Sequence, residues 1–283
     1  MKWKITKNSV RLPDALVEQL KLSSKKQARR LIDRGQCAIN GEIERFASRY
    51  VNVGDTIEVL QQDCSEKAQL EILYEDEWIY VLNKPPGRIV DHDSIHKALE
   101  TDVFLVHRLD RYTSGLLLVA KDKQTQAYFE RLFRTRAIKK AYLAIVDGEV
   151  YPSKGIIEKP IKKVSEGRFG LGGNKQAVTE YRVVASEKNA SLLFLVPQTG
   201  RTHQLRLHMK ALGCPILGDH QYISVFHRVV QPARQMLHAW KIAFVHPQYQ
   251  VELAWTAPIP RDMMLVIHQL FGHIKRKLCA YSL

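Results

Sequence analysis

The chain has 283 residues, 45% of them apolar and 25% charged, the make-up of a folded globular protein able to bury one large core and one small one. Lys and Arg number 43 against 29 Asp and Glu, a net charge of +14 that calls for a polyanionic partner, nucleic acid ahead of an anionic membrane surface. Several classes are set aside: no apolar run approaches the ~18 residues of a membrane span; Met1-Lys2-Trp3-Lys4-Ile5-Thr6-Lys7 carries charge without a leader's apolar core, so no signal peptide is expected; and Cys37, Cys64, Cys214 and Cys279 are too scattered for a disulfide framework or a zinc site, and read as reduced thiols in a cytoplasmic protein.

Residues 1–60 read as a small module. Asp14 to Leu22 has helical periodicity, and a second helix is expected after Ser23 as N-cap, stopping at Gly35. Its apolar stripe is Ala28, Leu31 and Ile32. Lys25, Lys26, Arg29, Arg30 and Arg34 crowd the rest of its surface with no acid on the same face, which points to phosphate contacts; a merely solvated face is the bland alternative. A short strand (Cys37 to Ile39), an Asn40-Gly41 turn and a strand near Thr56 to Leu60 follow. Residues 61–67 are polar and aperiodic, and are expected to link this module to a larger domain, 68–283.

The larger domain opens with two expected strands, Leu70 to Tyr74 and Trp78 to Leu82, arranged as a hairpin; Lys84-Pro85-Pro86-Gly87 stops the second, because proline cannot continue a central ladder. Next comes His107-Arg108-Leu109-Asp110-Arg111-Tyr112-Thr113-Ser114-Gly115, running into Leu116-Leu117-Leu118-Val119-Ala120-Lys121. The apolar run predicts a buried strand, entered through the small turn-formers Thr113, Ser114 and Gly115. Asp110 therefore sits on a loop at the mouth of a core strand. With Arg108 and Arg111 beside it, its carboxylate is expected to stay charged, available as a nucleophile or electrostatic partner. A turn cap paired with a neighbouring arginine is the competing reading.

Gln124 to Arg134 predicts a helix burying Tyr128, Leu132 and Phe133, and Tyr142 to Asp147, Val178 to Ala185 and Leu192 to Val196 predict further strands. Gly167 to Gly173 holds four glycines but lacks the Lys-Ser/Thr ending of a phosphate loop, and is expected to be a surface loop. Thr202 to Gly213 predicts a helix capped by Thr202 and closed by Gly213. At ~100° per residue, Leu205, His208, Met209 and Leu212 share one side and His203, Arg206 and Lys210 the other, offering cations to a cleft with no acid inside the helix to pair them. His203 and His208 stand five apart, wrong for one helical face, so no metal site is expected. The tail predicts strands near Lys241 to Val245 and Val251 to Trp255, and a helix from Asp262 to about Lys277.

His-Arg-Leu-Asp-x-x-Thr-Ser-Gly-Leu-Leu-Leu-x-Ala-Lys resembles the signature of the RluA family of pseudouridine synthases. Asn83-Lys84-Pro85-Pro86-Gly87 upstream, Thr199-Gly200-Arg201-Thr202-His203-Gln204-Leu205-Arg206-Leu207-His208 on to Gly218-Asp219 downstream, and Leu237-His238-Ala239 extend the likeness over about Leu70 to Pro258. The first sixty residues are similar to the S-four type RNA-binding domain, the α-L fold, through Ile32-Asp33-Arg34-Gly35 and Ile39-Asn40-Gly41. One departure is the run Arg88-Ile89-Val90-Asp91-His92 and the loop to Asp102, where the family continues with apolar residues and a histidine.

The resemblance implies an α+β catalytic domain around a mixed, largely antiparallel central sheet with flanking helices, beside the small α-L domain. It implies an enzyme that isomerises uridine to pseudouridine in RNA without a cofactor. Asp110 is then the catalytic carboxylate, Tyr142 stacks on the base and serves in proton transfer, and Arg206 pairs with the aspartate, with Arg201 a nearby candidate and His203 on the RNA-facing side. Arg108 fills the gap left by the flipped base, or pairs only with Asp110. Structured RNA, foremost large-subunit ribosomal RNA, is the expected partner of a monomer. The rival class is an RNA-binding or assembly factor that kept the fold without its chemistry.

Overall fold

The computed structural model describes residues 1–33, 35–44, 47, 49–60, 70–165, 167–187, 189–223, 230 and 232–283. The chain divides into two compact units, Met1–Lys67 and Ala68–Leu283. The expected 61–67 linker, Cys64 and Arg34 lie outside the described residues. Among the described residues no helix is long and apolar enough to cross a membrane.

The small unit contains β1 (Lys2–Lys4), β2 (Val10–Arg11), α1 (Leu12–Leu20), α2 (Lys25–Asp33), β3 (Cys37–Ile39), β4 (Glu42–Ile43), β5 (Tyr50–Val51) and β6 (Thr56–Val59). Its main sheet has the order β1-β6-β3-β4. Asn40 and Gly41 both have positive φ, 54° and 87°, the conformation a tight β-hairpin needs and Asn-Gly supplies at little cost. Leu12, Leu16, Ala28, Ile32, Cys37, Val51 and Ile57 form a closed core. The N-cap of α2 is Ser24, whose Oγ accepts from the Gln27 amide at 3.3 Å, one residue later than expected.

The large unit contains β7 (Glu71–Glu75), β8 (Ile79–Lys84), α3 (His92–Leu99), β9 (Phe104–Leu105), β10 (Ser114–Ala120), α4 (Lys123–Arg134), β11 (Lys139–Asp147), β12 (Lys154–Glu158), β13 (Ile161–Ser165), β14 (Arg168–Leu171), β15 (Val178–Glu187), β16 (Ala190–Pro197), α5 (Gln204–Ala211), β17 (Leu237–Val245), β18 (Glu252–Thr256), α6 (Arg261–Phe271) and α7 (Lys275–Cys279). One sheet of ten strands runs β12-β15-β16-β11-β17-β10-β8-β7, with β18 on β17 and β9 on β10. It is mixed and largely antiparallel; the pairing of β10 with β17 is parallel.

Every residue of β10 is buried. Leu116, Leu118 and Ala120 join one core with Phe129 of α4, and Leu117 and Val119 join another with Ile95 of α3, so alternate side chains leave on opposite faces. Each buried leucine contributes about 1.5–3 kcal/mol, which ties the loop preceding β10 to a rigid element. Gly115 has φ 107°, and a Cβ there would sit 2.1 Å from the Ala239 carbonyl oxygen; no other residue fits where β10 and β17 meet.

Four expectations are corrected. The glycine-rich 167–173 stretch is not a plain loop, since Arg168–Leu171 pairs with Ile161–Ser165 as a hairpin. In α4 the fully buried aromatic is Phe129, with Tyr128, Leu132 and Phe133 packed partly buried around it. The last helix is two, because Gly272 with φ 65° ends α6. The departing stretch after Arg88 holds α3, capped by the Asp91 carboxylate accepting from the Ser94 amide at 2.7 Å.

Candidate active site

Asp110 lies on the segment between β9 and β10, and this segment is pinned along its length. The His107 ring accepts from the Leu118 amide at Nε2, 2.9 Å. Leu109 is buried in the core beneath. The Asp110 carbonyl accepts from the Thr113 amide at 3.0 Å, closing the turn that the small residues predict. Two buried cations then grip consecutive carbonyls: Lys84 Nζ donates to Arg111 O at 3.0 Å and Arg234 Nη1 to Tyr112 O at 3.1 Å. Lys84 also donates to Pro85 O and Arg88 O, so its three protons tie the Lys-Pro-Pro-Gly turn to the Asp110 loop. Burial, then the charge of Arg234, pulls the Lys84 pKa down to about 7. Arg234 is itself held by a forked pair to Asp262, at 2.6 and 2.9 Å.

The nitrogen groups facing Asp110 come from α5 and its entry. Arg206 Nη1 lies 3.2 Å from Asp110 Oδ2, and His203 Nε2 lies 3.8 Å from Oδ1. Arg206 is 5% exposed and Asp110 23%, so the carboxylate faces the opening and the guanidinium lies behind it. Asp219, 2% exposed, takes Arg206 Nε and Nη2 at 2.8 and 2.7 Å, Gln221 Oε1 takes Nη2 again at 2.7 Å, and the guanidinium covers the Tyr222 ring at 4.9 Å. A guanidinium locked on two sides can offer its remaining nitrogen in one direction only.

The entry to α5 also differs from expectation. Its N-cap is His203, in left-handed conformation at φ 57°, and no side-chain hydrogen bond caps the helix. Residues Gln204 to Met209 are all buried, including Arg206, so α5 is embedded rather than two-sided. The acids that balance its cations lie outside the helix, where a search along α5 does not find them. His203 Nδ1 is hydrogen-bonded to the Tyr222 hydroxyl, which also accepts from the Phe169 amide at 3.3 Å. Gln221 Nε2 donates to Gly167 O at 2.9 Å, so the β13–β14 hairpin is bonded to Gln221 and Tyr222, the side chains that hold Arg206 and His203. Burial pulls the His203 pKa down, against the pull of Asp110.

Tyr142 sits where β11 meets β17, beside a register shift at Ala141/Tyr142. It opposes Ala239, which also pairs with Gly115, and its ring packs on the same core as Leu109. The bulge thus sets the tyrosine one strand from the Asp110 loop. Burial and then the Asp110 charge push its pKa up, so the phenol stays protonated at neutral pH.

The remaining predicted residues are more dispersed. Arg108 is exposed on the Asp110 loop. Neither Arg108 nor Arg111 supplies the described ion pairs of Asp110: Arg111 donates its Nε to Gly87 O at 3.1 Å. Arg201 is exposed and spends its Nε on Gln176 O at 3.0 Å. In the small unit Lys26, Arg29 and Arg30 are exposed along α2, while Lys25 is paired with Asp14 of α1 at 2.8 Å. The sequence reading missed the roles of Asp219, Gln221, Tyr222 and Arg234; only Asp219 carried a signal, as the end of the quoted downstream element.

The family described as RNA pseudouridylate synthase matches residues 79–211, and the S4 domain matches residues 10–57. The chain is 40% identical over 204 residues to the dual-specificity RNA pseudouridine synthase RluA of Escherichia coli K12, covering 67% of this chain and 93% of that one. It is 31% identical over 292 residues to the ribosomal large subunit pseudouridine synthase D of Nitrosomonas europaea, covering 92% and 84%. Among solved structures, human RNA pseudouridylate synthase domain containing 1 superposes with a TM-score of 0.59 at 31% identity, over 69% of this chain and 86% of that one.

Proposed function

This chain belongs to the RluA family of RNA pseudouridine synthases, isomerases that turn uridine into pseudouridine within RNA, and on that footing we propose which residues carry the reaction and on which RNA. The reaction breaks the N1 glycosidic bond, turns the base and joins the ribose to carbon five, whose proton is released while N1 takes one up. Asp110 is the catalytic carboxylate. The observation that carries this is its single-direction pairing: Oδ2 held at 3.2 Å by an Arg206 that Asp219 and Gln221 lock from behind. Arg206 is a positioning residue that holds the carboxylate in one direction.

Tyr142 stacks on the uracil, and its protonated phenol donates or relays a proton. Arg108, exposed one residue before Leu109-Asp110, fills the space the uridine vacates when it leaves its stack. A pure binding protein would gain nothing from an anion facing phosphates, held by a buried network.

The small unit, residues 1–60 with a 61–67 linker, is the RNA-docking domain, and Lys26, Arg29 and Arg30 are its phosphate contacts. Its pairing with the 68–283 domain, together with the ribosomal large-subunit enzyme of Nitrosomonas europaea among the relatives, supports large-subunit ribosomal RNA as substrate, modified by a cytoplasmic monomer. The test is Asp110→Asn, nearly isosteric and uncharged. Tritium release from RNA labelled at carbon five of uridine should vanish while filter binding at matched salt is kept, because an amide oxygen is far less basic and nucleophilic. Release within about tenfold of wild type, the size of a peripheral contact's effect, would leave Asp110 a structural residue.

A further inference from the structure

At one end of the large sheet lies a polar depression that none of the assigned groups uses. Arg136, Lys140 and Arg182 stand around it, and Ile138, Phe194 and Val196 are among its apolar lining. We propose that this depression binds a backbone phosphate of the RNA strand flanking the target uridine. The proposal rests on the reading of the chain as an enzyme acting on RNA, and extends it to a second contact outside the catalytic cleft.

The charge there is unbalanced. Arg136 and Arg182 are exposed, and no described ion pair or hydrogen bond engages either side chain. Lys139, also on the lining, is taken by Glu252 at 2.7 Å and is not available. The one acidic side chain of the depression, Glu180, accepts from the neutral Gln198 amide at 2.9 Å and keeps its charge, so the three cations outnumber it. Leu283 closes one side.

Lys140 is the most constrained of the three. It is half-buried, and its described contact is the Phe133 ring, 5.4 Å away. Burial pulls its pKa down. An ammonium partly withdrawn from water, with no acceptor among the described residues, is costly, and an anion entering the depression would offset that cost. Three cations over an apolar floor match a phosphate with its ribose better than a free carboxylate or a hydrocarbon group.

The depression adjoins the catalytic elements. The Phe133 ring that Lys140 covers also packs on His107, at 4.9 Å, three residues before Asp110. A Cβ placed on Gly200 would lie 3.6 Å from Lys140 Nζ, and Gly200 leads into Arg201 and α5. A strand with its target uridine at Asp110 therefore has a neighbouring cationic site within the same unit. A free phosphate-bearing molecule shares this chemistry, but continuity with the loops around Asp110 favours the strand.

The test uses the full chain with Arg136→Gln and Arg182→Gln combined, two exposed positions outside the catalytic machinery. Two RNAs are compared: a target stem-loop with long flanks and the bare stem-loop. For the flanked RNA the dissociation constant should rise about tenfold, and the log–log salt slope should become shallower by about 0.7–0.9, because the one phosphate that is no longer neutralised keeps its counterion. The bare stem-loop should bind as before, and kcat on it should be unchanged. Wild-type affinity and slope on the flanked RNA would overturn the proposal, as would an equal loss on both RNAs. Millimolar inorganic pyrophosphate is the second arm: binding that the double variant abolishes while flanked-RNA affinity stays intact would assign the depression to a free phosphate ligand instead, and overturn the strand proposal. If the wild-type chain releases no tritium from any RNA, the catalytic reading fails, and the salt slope still decides the site.

Discussion

Arg206→Lys keeps the positive charge and removes the fork, so it tests whether direction as well as charge matters at Asp110. The arginine makes four hydrogen bonds: two to Asp219, one to Gln221 and one to Asp110. A lysine ammonium has three protons on one atom and cannot span Asp219 and Asp110 at once. If it stays with Asp219, the Asp110 carboxylate is left without its guanidinium partner. A charge-assisted hydrogen bond of this kind is worth about 1.5–3 kcal/mol, so kcat should fall roughly ten- to two-hundredfold. Stability should fall too, because both Arg206 and Asp219 are buried and a damaged buried pair costs about 3–5 kcal/mol. For a unit of this size that corresponds to a drop of roughly 6–20 °C in Tm. The assay pairs tritium release at 20 °C with thermal melting followed by the fluorescence of Trp78, Trp240 and Trp255, all in the large unit. RNA affinity at fixed salt should stay near normal, since Arg206 lies behind the carboxylate. A variant that melts lower yet turns over at the wild-type rate would refute the reasoning: the arginine would then be a structural strut.

Tyr142→Phe keeps the ring and removes the phenol, so kcat should drop by about 10²–10⁴ if the hydroxyl carries a proton, with KM nearly unchanged; an unaltered kcat would leave Tyr142 as a stacking surface only. Replacing Lys26, Arg29 and Arg30 together by glutamine should weaken RNA binding and flatten its salt dependence by about two to three units, measured by filter binding from 50 to 300 mM salt; an unchanged slope would mean that face of α2 is merely solvated. Stability should decline as pH falls from about 6.5. His107 and His238 are pulled down by burial to about 3 and about 4, so they stay neutral in the folded chain while the unfolded chain binds protons near 6.5. Stability that is complete above pH 6.5 is therefore lost progressively as the pH approaches 4, and His107→Asn should shrink the difference between urea midpoints at pH 7.5 and 5. An identical difference in that variant would remove His107 from the account.

The residue pattern by itself determined the catalytic segments and most of the frame that holds them. An unbroken apolar run after Thr113-Ser114-Gly115 specifies a strand buried on both faces, and β10 is that strand. Asn40-Gly41 specifies a tight reversal, and the chain turns there. These features are local, set by periodicity and by backbone freedom at single residues, so they are readable without partners. The partners of Asp110 are not local in this sense. Flanking charge points to Arg108 and Arg111, whereas the described ion pairs come from Arg206 and His203, 96 and 93 residues away in the sequence. The expected two-sided α5 became an embedded helix because Asp219, thirteen residues beyond Arg206, neutralises it from a separate loop. A buried cation is tolerable only when an acid meets it, and which acid meets it depends on how distant segments pack. Tertiary structure alone likewise brought Lys84 and Arg234, 150 residues apart, onto consecutive carbonyls of the Asp110 loop, and bonded Gln221 and Tyr222 to the β13–β14 hairpin. Backbone carbonyls carry no residue signature, so side chains that recruit them leave no trace in the sequence until the chain has closed around them.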